Sequence, residues 1–397
     1  KRDDVPYPRG EPCTRPVVCS PMRKLLALTL TMALVAAVSA YLVWTQERPV
    51  GHYLSDLRIN LAVNEGTPAD HGNLLGIQPE LFPADYQSLE RLHLKLSAYL
   101  RNARDMGLIN DKTIVVLPEH VGTWLMVSGE KNQLYQATSL KEAMNWLSAS
   151  NPLLFLRALI SAQGDNRLDD AYLRMKAPAM ARDYQVLFGG LAKEFGVTLV
   201  AGSIALPNPS VSQGQLQVGH GALYNTSLVF DRDGLPLGQP QRQLYPIFDE
   251  RGFIAPGDEN AISVIDTPAG RLGILIGSDS WYPDNYRKLN EQGAQLVAVP
   301  ALVIGRDTWD KPWRGFKSVS TPPEVSLKPE ELSEGEAWHR LSLISQPPIS
   351  LAGAGMSVFM RGQFWDQGTS GQSFLSAQGQ VFADSNARGA RLLNVWL

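Results

Sequence analysis

The chain has 397 residues, 44% of them apolar and 19% charged, with 34 glycines and 27 prolines, which excludes a disordered chain and leaves room for a large core. A formal net charge of -3 gives no electrostatic footprint for nucleic acid. The two cysteines, Cys13 and Cys19, both precede Ser20, so the main body has no disulfide framework, no zinc–thiolate site and no cysteine nucleophile.

In chain order, residues 1–21 are polar and Pro-rich and read as a disordered extension. Met22-Arg23-Lys24 reads as the start of a targeting signal, giving a membrane segment over 22–46. Its centre, Leu25–Trp44, carries no charge; at about 1.5 Å per residue it can cross a hydrocarbon layer of about 30 Å. Ahead of it stand six basic residues (Lys1, Arg2, Arg9, Arg15, Arg23, Lys24) against three acidic ones (Asp3, Asp4, Glu11), a net +3. Positive flanks stay on the cytoplasmic side, so the body emerges on the far side, in a periplasm-like space of a bacterial-type inner membrane. Ala36, Ala37, Ser39 and Ala40 also suit a signal cleavage site, which would release the body. The apolar run continues through Tyr41 to Trp44, which favours an uncleaved anchor.

From residue 56 to 397, short apolar runs alternate with helical periodicity. Strands are expected at Arg58–Val63, Thr113–Leu117, Val197–Leu206, Ser227–Phe230, Leu272–Ile276 and Leu296–Val299, with a hairpin turn at Asp231–Gly234. Leu89, Leu92, Leu96, Tyr99, Leu100 and Ala103 stripe one helix; Tyr184 to Phe195 stripe another, closed by Gly196. This mixture is that of α/β layers. Ser128–Pro178 and Asp307–Pro348 break the alternation and are candidate pocket covers.

Val115-Val116-Leu117-Pro118-Glu119 ends a buried strand with a carboxylate, where α/β sheets present functional groups. The series RINLAV, long helix, VVLPE, FGVTLVAGS, LYNTSLVFDRDG, TPAGRLGILI, SDSWYPDNYRKL, GAQLVAVP and FLSAQGQVFAD resembles the nitrilase, or carbon-nitrogen hydrolase, superfamily from about Arg58 to Leu397. The resemblance implies an αββα four-layer sandwich, a homodimer, and a site of glutamate, lysine and cysteine acting on an amide or nitrile carbon.

Carried over residue by residue, Glu119 takes the glutamate position, Gln243 in Gln241-Arg242-Gln243-Leu244 takes the lysine position, and Gly277 takes the cysteine position, fixed by Asp279 and Pro283. No lysine lies between Lys193 and Lys288. The expectation is therefore a domain that has lost amide hydrolysis and serves as a binding or scaffold module for a small amide or acyl ligand. The alternative is a working hydrolase with a relocated nucleophile such as Ser278, or Ser280. A lipoprotein acyl transferase, the branch of this superfamily with several spans and the cysteine, fits a chain with one span poorly.

Glu250 resembles the family's additional glutamate, and Trp281, Tyr282, Trp309, Trp313 and Trp338 are candidate pocket aromatics. His120, next to Glu119, is expected to point away from it on an extended strand. The six histidines have no metal spacing and no phosphate-cradling loop is present, so no cofactor is expected.

Overall fold

The computed structural model describes residues 21–48, 53–247, 249–316, 318, 320–343, 352–383 and 389–397. Both cysteines, most of the expected N-terminal extension, and residues 344–348 of the second candidate cover lie outside these. The chain forms two units, Lys1–Glu47 and Arg48–Leu397.

In the first unit, Pro21–Gln46 is one α-helix, long and apolar enough to cross a membrane. Its Thr29, Thr31 and Thr45 hydroxyls donate to carbonyls three or four residues back. Such bonds satisfy them without water.

The second unit is built on two sheets. The first runs in the order 59–65, 390–396, 73–78, 113–116, 198–200, 223–230 and 236–242, with 204–207 also paired to 223–230. The second runs 264–267, 270–274, 296–301, 354–359, 374–377 and 380–383. Period-2 alternation stacks them. Ile114 and Val116 of one sheet face Leu272, Ile274, Leu296 and Ala298 of the other in a shared core. Val115 points the opposite way, into a core with helix residues Leu92, Leu96, Tyr99, Tyr184 and Phe188. Val297 and Val299 likewise point outward onto Tyr286, Leu289 and Trp338. The result is the four-layer αββα sandwich.

Several local expectations change. The strand leading into the Leu89–Asp105 helix is Asn73–Gln78, buried along its whole length and so without the alternation that marks a strand in sequence. Ile59–Glu65 instead sits at the sheet edge beside the C-terminal strand Ala390–Trp396, which sequence periodicity also did not single out. The expected single strand Val197–Leu206 is two strands, Thr198–Val200 and Ile204–Pro207. They are separated at Gly202, whose left-handed φ of +65° and approach to the Pro118 carbonyl leave no room for a Cβ. The expected Tyr184–Phe195 helix is the end of a longer run from Arg167 through a π-turn at Gln185–Gly189, and Gly196 closes it at φ +66°. Of the two candidate covers, the Asp307–Pro348 segment lines the cavity described below and Ser128–Pro178 does not. The latter folds as helices on the outside of the first sheet, with Ala143, Leu147, Ala171 and Met175 in its core.

Candidate functional site

Strand ends of both sheets open into one cavity of about 870 Å³. Its walls include Glu119, His120, Gln243, Glu250, Gly277, Ser278 and Trp281 from the strand-end loops, and Thr308, Lys311, Arg314 and Trp338 from the segment after the Leu296–Ala301 strand. All six residues singled out in sequence as catalytic-position or ligand-binding candidates therefore border the same space.

Glu119 leaves its strand on a turn held by Ser203, whose hydroxyl accepts from the His120 N–H at 2.8 Å and whose carbonyl accepts from the Gly122 N–H at 2.9 Å. Its Oε1 accepts from Asn225 Nδ2 at 2.9 Å and from Gln243 Nε2 at 3.3 Å. Gly277 stands opposite at φ +53°, and a Cβ built on it would lie 2.8 Å from Glu119 Oε2 and 3.0 Å from Oε1. The side-chain direction at 277 thus points straight at the Glu119 carboxyl. The three positions matched in sequence to glutamate, lysine and cysteine meet at one point.

One buried carboxylate sets this geometry. Asp279 accepts from the backbone N–H groups of Leu244 at 2.9 Å and Tyr245 at 2.8 Å, tying the segment that carries Gln243 to the turn that carries Gly277. Burial pushes Asp279 up to about 7 despite the backbone donors that favour its ionised form.

Glu119 is pushed up to about 8, chiefly by burial. The His120 charge opposes this, and the negative charges of Glu250 and Asp279 add to it. Burial therefore favours its neutral form well above the ordinary carboxylate range, and the carboxamide of Gln243 brings no positive charge to offset this.

His120 is not where the sequence put it. The strand ends at Val116, and His120 takes a left-handed φ of +58°, so the alternation assumed for an extended strand does not apply. Its Nε2 lies 2.9 Å from Glu250 Oε1 and its Nδ1 2.9 Å from Thr123 Oγ1. Burial pulls the imidazole down, but the hydrogen bond and charge of Glu250, with Glu119 alongside, leave it above its ordinary value. Asn225 is the second residue that sequence reasoning missed; it lies inside a strand of ordinary pattern, and only the close approach of the segments reveals it.

Ser278 donates to the Tyr245 carbonyl at 3.2 Å, and Ser280 to the Gly277 carbonyl at 2.8 Å. Neither hydroxyl has an imidazole or carboxylate as its hydrogen-bond acceptor, which is what an activated serine requires. Trp281 and Trp338 pack edge to face at 5.0 Å and form a cavity wall, whereas Tyr282, Trp309 and Trp313 belong to the core behind it. Among the described residues no group of His, Cys, Asp and Glu could hold a metal ion.

A four-layer αββα sandwich with this strand-end arrangement defines a protein of the nitrilase fold. The carbon-nitrogen hydrolase family model matches residues 173–321 of the chain. Curated relatives include an N-carbamoylputrescine amidase of Solanum tuberosum, 24% identical over 169 residues that cover 40% of this chain and 52% of that protein. A deaminated glutathione amidase of Yersinia enterocolitica is 27% identical over 179 residues, covering 41% and 54%. The chain thus spans about half the length of the curated relatives it matches. Solved structures similar to it include Saccharomyces cerevisiae Nit3, of the nitrilase superfamily, at 15% identity and TM-score 0.48, covering 82% of this chain and 89% of that one. Another is an amidase from Nesterenkonia sp. AN1 in complex with acrylamide, at 14% identity and TM-score 0.46, covering 84% and 93%.

Proposed function

We propose that this is a membrane-anchored carbon-nitrogen hydrolase-like protein that binds a small amide or acyl ligand without hydrolysing it, its body on the periplasmic side of a bacterial-type inner membrane. The observation that carries the reading is Gly277: the backbone is shaped to aim a side chain at Glu119, and there is none to aim. Glu119, whose neutral form burial favours, and the carboxamides of Asn225 and Gln243 offer neutral donors and acceptors matched to an amide, with His120 beside them paired to Glu250 and no nucleophile among them. Its anchor is the Pro21–Gln46 helix. The family resemblance further implies a homodimer, which sedimentation of the detergent-solubilised chain would test.

Propionamide serves as the probe. Calorimetry should show saturable binding that Glu119→Ala abolishes, while ammonia release stays at the buffer rate. Ammonia release above that rate, lost on Ser278→Ala together with labelling by a fluorophosphonate, would establish the alternative of an active hydrolase with Ser278 as nucleophile.

A further inference from the structure

The Pro152–Ser161 helix (PLLFLRALIS) is apolar on both sides. Its inner face is accounted for: Ala158 is buried, Phe155 and Leu159 pack against the first helical core, and Phe155 stacks on Tyr172 at 5.1 Å. Its outer face carries Leu153 and Ile160, each 74% exposed, with Leu154 and Leu156 about half exposed; Leu168, at the start of the next helix, is exposed as well. No acidic residue lies on the helix, and Arg157 is its one charge; Asp165 and Arg167 follow its end. A surface helix of a protein surrounded by water has a polar outer face. At about 15 Å this helix is too short to span a bilayer but long enough to lie in its interface.

Chain connectivity says which surface covers it. The second unit starts at Arg48, so it begins within two residues, about 7 Å, of the end of the apolar helix at Gln46. Arg48 is fixed within its own unit: its guanidinium donates to the Ser150 carbonyl at 3.3 Å and pairs with buried Glu130 at 3.6 Å. Glu130 in turn accepts from Asn151, the residue that starts the Pro152–Ser161 helix. Tyr41 and Trp44, the residue types that settle at a membrane–water interface, close the apolar helix.

We infer that the Pro152–Ser161 helix lies in the membrane interface of the leaflet from which the N-terminal helix emerges, its Leu153, Leu156 and Ile160 face among the acyl chains. Arg157 reaches back to anionic headgroups, while Arg167 donates to the Leu159 carbonyl at 2.9 Å and closes the end of the helix. The inference rests on the N-terminal helix crossing a membrane and not on any ligand of the cavity.

The test uses the full chain with Cys13→Ser and Cys19→Ser, carrying Leu156→Cys, Ile160→Cys or, on the opposite helical layer, Glu291→Cys, each labelled with an environment-sensitive nitrobenzoxadiazole. The chains are placed in vesicles of phosphatidylcholine with a minority of phosphatidylglycerol, with or without bromine on the acyl chains. An interfacial helix sits about 5–10 Å into the headgroup and acyl boundary, so bromine should cut emission at 156 and 160 by roughly two-fold and leave 291 unchanged. Because 156 and 160 are exposed, their labels leave the thermal midpoint in place. Chains that float with the vesicles but show equal emission at all three sites overturn the inference, and chains that do not float overturn the anchoring on which it rests. Disulfide-linked dimers through Ile160→Cys, with no quenching, would assign the face to a second copy and overturn it also.

Discussion

Adding one methyl group at Gly277 tests the geometry of the site directly. In Gly277→Ala the new Cβ would stand 2.8 Å from Glu119 Oε2 and 3.2 Å from its Cδ, so the carboxyl must withdraw. Holding a non-glycine residue at φ +53° costs about 1–2 kcal/mol. Withdrawing Glu119 weakens its bonds from Asn225 and Gln243, each worth about 1 kcal/mol. The sum is about 2–4 kcal/mol, which in a unit of this size lowers the thermal midpoint by roughly 3–5 °C. The same change in a Glu119→Ala background keeps the backbone strain and loses the collision, so it should cost only about 1–2 kcal/mol. Urea denaturation of the four chains closes the cycle. A Gly277→Ala cost that is the same in both backgrounds would refute the claim that the 277 side-chain direction and the Glu119 carboxyl occupy one space.

Other expectations follow from the same interactions. Glu119 and Asp279 are both raised, from 4.5 to about 8 and from 3.8 to about 7, so each favours the folded state fully below its unfolded value and loses that contribution as pH rises through its folded one. The thermal midpoint should therefore fall between pH 5 and pH 8, and Glu119→Gln should flatten that slope; a midpoint that rises over this interval contradicts the assignment. Glu250→Gln removes the charge that holds His120 up, so the imidazole should titrate at lower pH by NMR, and an unchanged titration would place the two apart in solution. Lys95→Met leaves Asp85, which is fully buried, without the ammonium 2.9 Å away, and should cost about 3–5 kcal/mol in urea denaturation. A loss well under 1 kcal/mol would show that water reaches Asp85.

Much of the architecture is legible in sequence because both sheets alternate between two cores: Ile114, Val115 and Val116 announce a strand with two apolar faces, and Leu92, Leu96 and Tyr99 announce the helix that covers it. Asn73–Gln78 escapes because a strand buried on every side loses its period. In the site, Glu119, Gln243 and Gly277 are found through the order of segments, which is a property of the chain. His120 and Asn225 are not, since their places depend on a left-handed turn and on two segments approaching in space. The exposed face of Pro152–Ser161 hides for a related reason: in sequence it is part of the Ser128–Pro178 stretch that breaks the alternation, and only the fold shows which of its apolar residues stay exposed among the described residues.

Asp279 gives the site a property separate from chemistry. One carboxylate fastens the segment before it and the turn around it, so Gln243 and Gly277 are positioned by the same support and cannot drift independently. That support is part of the folded core, and whatever side chains stand at 243 and 277, the frame that presents them is kept by stability. The outline of such a pocket is thus inherited with the fold, and what it does is decided by the few atoms placed inside that outline.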